Sequence, residues 1–255
     1  MLRSLRKPLY IGLFPGRCWL KYGSTLLASA PAPPQSDWPT LSMIARQMLG
    51  DPAVVRYKGR DVQVVLADHI ASICAIPWQE KLHKENELRE YARLCFEKAG
   101  RMLNQDWTLH AAFRQHGTLG LAYAIPSHVL ESLEATAKEC GMRLRTVLPL
   151  SGAAYFKTER PGKRITLLTM LTESQRVTSM VHNAGGMSGF DIEPVTGTVE
   201  LAVIRQLRRL AAANGTVGQV RILTHDGKED GALLSLVATE LPEAQRQAIH
   251  IEVWA

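Results

Sequence analysis

Carboxylates are missing from the start of this chain. Before Asp37 the sequence carries Arg3, Arg6, Lys7, Arg17 and Lys21 and no acidic residue, so nearly all of the net charge of +6 sits near the N-terminus. Such a cluster can touch anionic lipid or nucleic acid, and it also reads simply as a solvated tail. No basic strand interleaved with aromatics and no recognition helix accompanies it, so no specific nucleic-acid partner is expected. Cysteine is scarce: Cys18, Cys74, Cys95 and Cys140 are far apart with no CxxC pair, which fits buried reduced thiols in a cytosolic protein. The eight histidines include no HExxH and no close pair, so no metal site is expected. No apolar run approaches the roughly 18 residues that span a bilayer. The opening MLRSLRKPLYIGLFPG has a basic start, but its apolar stretch is short and broken by Pro15 and Arg17. That argues against a secretory signal, and a cytoplasmic protein is expected. Ser151, in LSGAAY, lacks a GxSxG elbow.

What is present is the composition of an ordinary globular protein, with 46% hydrophobic and 21% charged residues in 255 positions. That length suits one large domain or two small ones. Tyr10–Phe14 and Cys18–Tyr22 read as a hairpin turning at Pro15-Gly16, and the Pro-rich Ala28–Thr40 reads as a surface loop. Leu41–Leu49 is expected to be a short helix. Asp61–Leu66 and Ala71–Ile76 are expected to pair around Asp68-His69, and Gln79–Leu103 has the period of an amphipathic helix. Trp107–Phe113 and Thr118–Ile125 suggest another antiparallel pair. A helix follows with Ser127 as N-cap, Glu131 and Glu134 early, a buried stripe of Val129, Leu130, Leu133 and Ala137, and Gly141 as a left-handed C-cap. Arg143–Leu148 returns as a strand.

The second half repeats this grammar. Arg164–Leu171 and Arg176–His182 form a strand pair around Glu173-Ser174. Val199–Asn214 is a helix with Leu201, Ile204, Leu207, Leu210 and Ala211 inward. Gly218–Thr224 is a buried strand, Ala232–Ala238 a short helix and Ile249–Val253 a last strand. Two halves of this form fit a duplicated α/β domain with a cleft as the ligand site. Asp68 and His69 are adjacent, so their side chains are not expected to converge as an acid/base pair, and no catalytic residue is assigned.

The stretches VQVVLADHIASICAIPW (Val62–Trp78) and YAIPSHVLESLEATAKECGMRLRTVLPLSGAAYF (Tyr123–Phe156) resemble the actin-like ATPase superfamily, most closely the pilus assembly proteins of the PilM kind and the cytoplasmic part of the secretion platform protein GspL. The resemblance runs from Tyr10 to about Val237. It implies an α/β, actin-like (RNase H-like) fold of duplicated mixed-sheet domains with a cleft between them. The expected boundaries are residues 1–155, a first subdomain with an inserted strand–helix–strand piece, and 156–255, a smaller second one. It also implies a place in the inner-membrane assembly platform of a type IV pilus or type II-like secretion system, as a cytoplasmic protein peripheral to the membrane. The implied partners are the cytoplasmic tail of a membrane protein and an assembly ATPase. With no membrane helix after Trp254-Ala255, the chain is expected to be more like the pilus protein than the secretion protein.

The nucleotide loops that this superfamily uses are altered at each matching position. Phe14-Pro15-Gly16-Arg17 stands where Asp-x-Gly-Ser/Thr would be: proline removes a backbone donor, and no carboxylate serves a metal. Glu173-Ser174 lacks the glycine of the second loop. The third is ILTHDGKEDG (Ile222–Gly231), where Asp226-Gly227 is an ordinary turn pair. The run NAGGMSGFD (Asn183–Asp191) is read as a loop joining strand to helix. No cofactor is therefore expected and a non-enzymatic scaffold is the reading. The alternative is a nucleotide-binding ATPase with divergent loops, for which Gly16, Gly185, Gly186 and Asp226 are the candidates. Trp78 and Arg17 are the candidates for partner binding.

Overall fold

The computed structural model of the chain describes residues 7–82, 84–158, 161–162, 165–214, 218–224, 231–240 and 249–253. The chain begins with β1 (Leu9–Leu13), β2 (Gly16–Tyr22) and β3 (Thr25–Ala32), a meander whose first turn Gly16 closes at a left-handed φ of 86°. Next come α1 (Trp38–Leu49), the short α2 (Pro52–Val55) and β4 (Asp61–Leu66). Asp37 caps α1 by accepting from the Thr40 amide at 3.1 Å. The expected loop Ala28–Thr40 is thus mostly ordered structure. Pro31 fits because β3 is an edge strand, and Pro39 fits because the first helical turn needs no intrahelical N–H.

After the 3₁₀ turn Asp68–Ile70 come β5 (Ser72–Ile76), α3 (Glu85–Lys98), β6 (Trp107–Ala112) and β7 (Gly120–Pro126). The helix expected over Gln79–Leu103 is shortened at both ends. β5 does not pair with β4 as its sequence neighbourhood suggested: it pairs with β7, in a separate sheet of order β5-β7-β6. Then follow α4 (Ser127–Glu139), β8 (Arg143–Pro149) and α5 (Leu150–Lys157). Ser127 is the first helical residue and not the cap, and its hydroxyl bonds that of Thr108 at 3.2 Å. Glu131 and Glu134 fall beyond the first turn, and Leu130 is only half-buried. Gly141 does take the left-handed conformation, at φ 71°.

The second half runs β9 (Leu167–Thr172), β10 (Arg176–Asn183), β11 (Gly186–Pro194), α6 (Val199–Asn214), β12 (Gln219–Thr224), α7 (Gly231–Glu240) and β13 (Ile249–Val253). The glycine-rich run expected as a loop is the start of β11, paired antiparallel with β10. In α6 the buried stripe is Ala202, Val203, Gln206, Leu207 and Leu210 with Ile204, while Leu201 faces solvent at 52% exposure.

The two five-stranded sheets are copies of one plan. The first has the order β3-β2-β1-β4-β8 and the second β11-β10-β9-β12-β13. In each, the first three strands run antiparallel and the last two join parallel to the first strand of the set. By contacts the chain forms two compact units that interleave in sequence. One holds Met1–Ser72, Asn104–Thr108 and Ala124–Ala153, and the other holds Ile73–Leu103, Leu109–Tyr123 and Ala154–Ala255. In the first unit, α1 and α4 pack on the sheet and close a stripe of Leu9, Ile11, Leu13, Val62, Val64 and Leu66. In the second, α6 and α7 cover Leu168, Met170, Val177, Val181, Val220 and Ile222. Among the described residues, no helix is long and apolar enough to cross a membrane.

Candidate functional site

In the first unit, the turn from β1 to β2 lies beside the end of β4, because the Ala67 amide donates to the Leu13 carbonyl at 3.0 Å. Phe14 is fully buried and its carbonyl accepts from the Cys18 thiol at 3.7 Å. Burial holds that thiol's pKa up at about 11, so it stays protonated. Pro15 offers no N–H, and the Gly16 amide donates to the Pro33 carbonyl at 3.4 Å. Arg17 spends its Nε on Ser29 Oγ at 3.0 Å. The turn therefore turns an aromatic ring inward and directs its one glycine amide at the protein's own backbone.

Asp68, at the end of β4, is wholly buried. It accepts from the Ser151 amide at 2.9 Å and from the Ser151 hydroxyl, tying the first turn of α5 to the turn that follows the interior strand β4. His69 turns away and places Nε2 3.0 Å from the Ser36 carbonyl. The two neighbours thus serve separate partners. Sequence reading singled out Asp68 and Ser151 one at a time and missed the pair. A carboxylate capping a helix from a distant strand leaves no local pattern, although the helix start after Pro149 marks where a cap is needed.

In the second unit, the β9–β10 turn closes through the Glu173 amide, which donates to the Arg176 carbonyl at 2.9 Å. Glu173 is buried and the Thr172 hydroxyl donates to the Leu223 carbonyl at 3.3 Å. Gly185 and Gly186 lie at the β10–β11 turn, where both amides donate to Asn183 Oδ1, at 2.9 and 3.2 Å. Gly186 has φ 132°, a conformation that favours glycine, and a Cβ there would also have to displace the Gln115 side-chain amide of the β6–β7 loop, whose Oε1 would lie 1.9 Å away. Asp226 lies outside the described residues. Trp78 packs edge-on against Phe113 at 4.9 Å and beside His116 at 4.7 Å, within an aromatic cluster.

Arg114, which no motif flagged, caps α5 from the β6–β7 loop. Its guanidinium donates to the carbonyls of Tyr155 and of Thr158 (2.7 Å for the latter), and its amide donates to the Tyr155 hydroxyl at 3.0 Å. The same positive charge stands near His182 in β10. Burial first, and Arg114 second, push His182 down to about 4, so it is neutral.

No protein-family model matches the chain, and no curated protein matches it in sequence. Solved structures do match in fold. A Bacteroides thetaiotaomicron protein with an actin-like ATPase fold and unknown function overlays with a TM-score of 0.65 at 12% identity, over 98% of this chain and 92% of that one. The fold is the actin-like ATPase fold. A chain of the PilM–PilN type IV pilus biogenesis complex overlays with a TM-score of 0.68 at 13% identity, over 96% of this chain and 90% of its own. The cytoplasmic domain of EpsL, an inner-membrane component of the Vibrio cholerae type II secretion system, overlays with a TM-score of 0.48 at 15% identity, over 92% of this chain and 94% of its own. Within the actin-like fold, the duplicated sheets make Leu13–Arg17 and Thr172–Arg176 the corresponding first turns of the two repeats.

Proposed function

We propose that this chain is a non-enzymatic scaffold of the assembly platform of a type IV pilus or a type II-like secretion system. It works on the cytoplasmic side of the inner membrane and binds the short cytoplasmic tail of a membrane partner. The observation that carries this reading is the β1–β2 turn. An actin-like phosphate turn needs free amides and a carboxylate for the metal, whereas here Phe14 is buried, Pro15 lacks a donor and the Gly16 amide is given to Pro33. The overlay on a chain of the PilM–PilN complex over nearly the whole length supports the pilus or secretion setting. Contact with an assembly ATPase belongs to the same reading.

The test is a pull-down. A peptide copying the cytoplasmic tail of a single-span membrane protein encoded beside this one should retain the full chain without nucleotide, and failure to do so counts heavily against the scaffold. Calorimetry with ATP and Mg²⁺ supplies the second arm: no heat is expected, and binding in the sub-millimolar range overturns the non-enzymatic reading in favour of a nucleotide-binding ATPase with divergent loops.

A further inference from the structure

In the first unit, cations and aromatic rings converge at the end of the sheet where β2 finishes and β4 and β8 begin. Tyr22, the last residue of β2, packs its ring at 4.9 Å and a tilt of 41° against that of Tyr57, which follows α2. Arg60 lies over the Tyr22 ring at 5.6 Å and Arg56 over the Tyr57 ring at 5.1 Å. The same end of the sheet gathers more charge. The side chain of Lys7 lies against Gly23, that of Lys58 lies against Gly141, and the Arg143 amide donates to the Arg60 carbonyl at 3.0 Å. Arg143 and Arg145 share one carboxylate, Asp61, at 2.8 and 3.3 Å. Asp51 uses its Oδ1 on the Ala53 amide at 2.7 Å, and Glu139, beside Cys140, is paired with Arg46. Positive charge is therefore in clear excess, and Lys7, Arg56, Lys58, Arg143 and Arg145 are all exposed.

Two large apolar side chains stand out in solvent within this basic field. Val55, the last residue of α2, is 40% exposed beside Arg56, and Leu26, paired across the β2–β3 ladder with Lys21, is 45% exposed. A basic field that needs only counter-charge has no use for them. An anionic bilayer surface satisfies both features: phosphate headgroups meet the cations, tyrosines sit at headgroup level, and the exposed Leu26 and Val55 side chains reach toward the acyl boundary. The cations come from several separate elements spread along one end of the sheet, which suits a broad plane better than a narrow peptide.

We propose that this end of the first unit, centred on Tyr22 and Tyr57, is a docking surface for an anionic phospholipid membrane. The inference rests on the proposed peripheral placement at the inner membrane and adds a direct lipid contact that does not need the partner's tail. The experiment is co-sedimentation of the full chain with vesicles of phosphatidylcholine alone or mixed with phosphatidylglycerol. Binding is expected only with the anionic lipid, and the double variant Arg56→Ala/Lys58→Ala should weaken it about 30-fold. The charge-matched control Lys81→Ala/Lys98→Ala, on exposed positions of the other unit, should leave it unchanged. Leu26→Ser/Val55→Ser should weaken it too, and the binding that remains should fall more steeply with added salt than that of the parent chain. Absence of binding to anionic vesicles, or equal losses from the control pair, overturns the proposal. Insensitivity to Leu26→Ser/Val55→Ser, with poly-glutamate or DNA bound as well as vesicles, overturns it in favour of a polyanion-binding surface. A pull-down that fails while vesicle binding succeeds removes only the tail-binding scaffold, so the two readings fail separately.

Discussion

His182 sits in β10 at 5% exposure, and among the described residues neither ring nitrogen has a hydrogen-bond partner. Its neutrality down to about pH 4 has a consequence for folding. The unfolded chain takes up a proton at the ordinary histidine pKa near 6.5, whereas the folded chain resists until about 4. The unfolded state therefore binds more protons in that window, so stability is complete above about pH 6.5 and is lost as pH falls toward 4. At pH 5 the loss should be about 2 kcal/mol relative to pH 7. Urea midpoints at the two pH values measure it, and His182→Leu should flatten the difference; an unchanged difference in that variant assigns the effect elsewhere. At this scale the sequence revealed little. Asp68, Ser151, Arg114 and His182 were visible as residues, but their roles follow from partners far along the chain, such as the 83 positions between Asp68 and Ser151.

The β1–β2 hairpin was legible because Leu9, Ile11 and Leu13 on one strand, and Cys18 and Leu20 on the other, present one apolar face. Its opposite face hides a constraint that no pattern shows. Gly12 lies directly across from Trp19, and a Cβ on Gly12 would come within 2.2 Å of the indole, which is 3% exposed. Gly12→Ala should therefore cost about 3 kcal/mol by overpacking. Adding Trp19→Leu should restore part of that loss in a double-mutant cycle by chemical denaturation, and strictly additive losses would rule out the clash. The elements that escaped the sequence are the edge strands β3 (TLLASAPA) and β11 (GMSGFDIEP). An edge strand pairs on one side only, so it tolerates proline, glycine and polar residues that make it read as a loop. The false β4–β5 hairpin has the opposite cause: two strand-like runs close in sequence suggested a local pair, while β4 joins β1 and β8 through parallel pairing that no local signal records.

For the whole molecule, the duplication is the organising fact. Each repeat places three antiparallel strands beside two parallel ones; β1, β4, β9 and β12, like β2 and β10, are paired on both sides, and these four lie at the centre of the two sheets. Their amides should exchange most slowly with solvent, since opening them breaks two ladders and exposes a buried stripe. Hydrogen-exchange mass spectrometry should find comparable protection in Leu9–Leu13, Asp61–Leu66, Leu167–Thr172 and Gln219–Thr224. Strong protection confined to one repeat would contradict two independently formed cores. The fold is therefore shared with actin-like proteins, while the β1–β2 turn and the basic end of the first unit are where this chain's own chemistry lies.

The sequence by itself determined the α/β class, the repeated order of strands and helices, the loss of the carboxylate from the first phosphate turn and the loss of glycine from the second. These follow from local rules: side-chain period, turn residues and the missing proline N–H. The tertiary structure alone decided which strands pair, that Asp68 caps α5, that the Gly16 amide is occupied by Pro33, and that Arg56, Arg60, Lys58 and Arg143 share one end of a sheet with Tyr22 and Tyr57. Each of these joins residues distant in sequence, and the free energy that selects such contacts comes from burial and pairing across the finished fold.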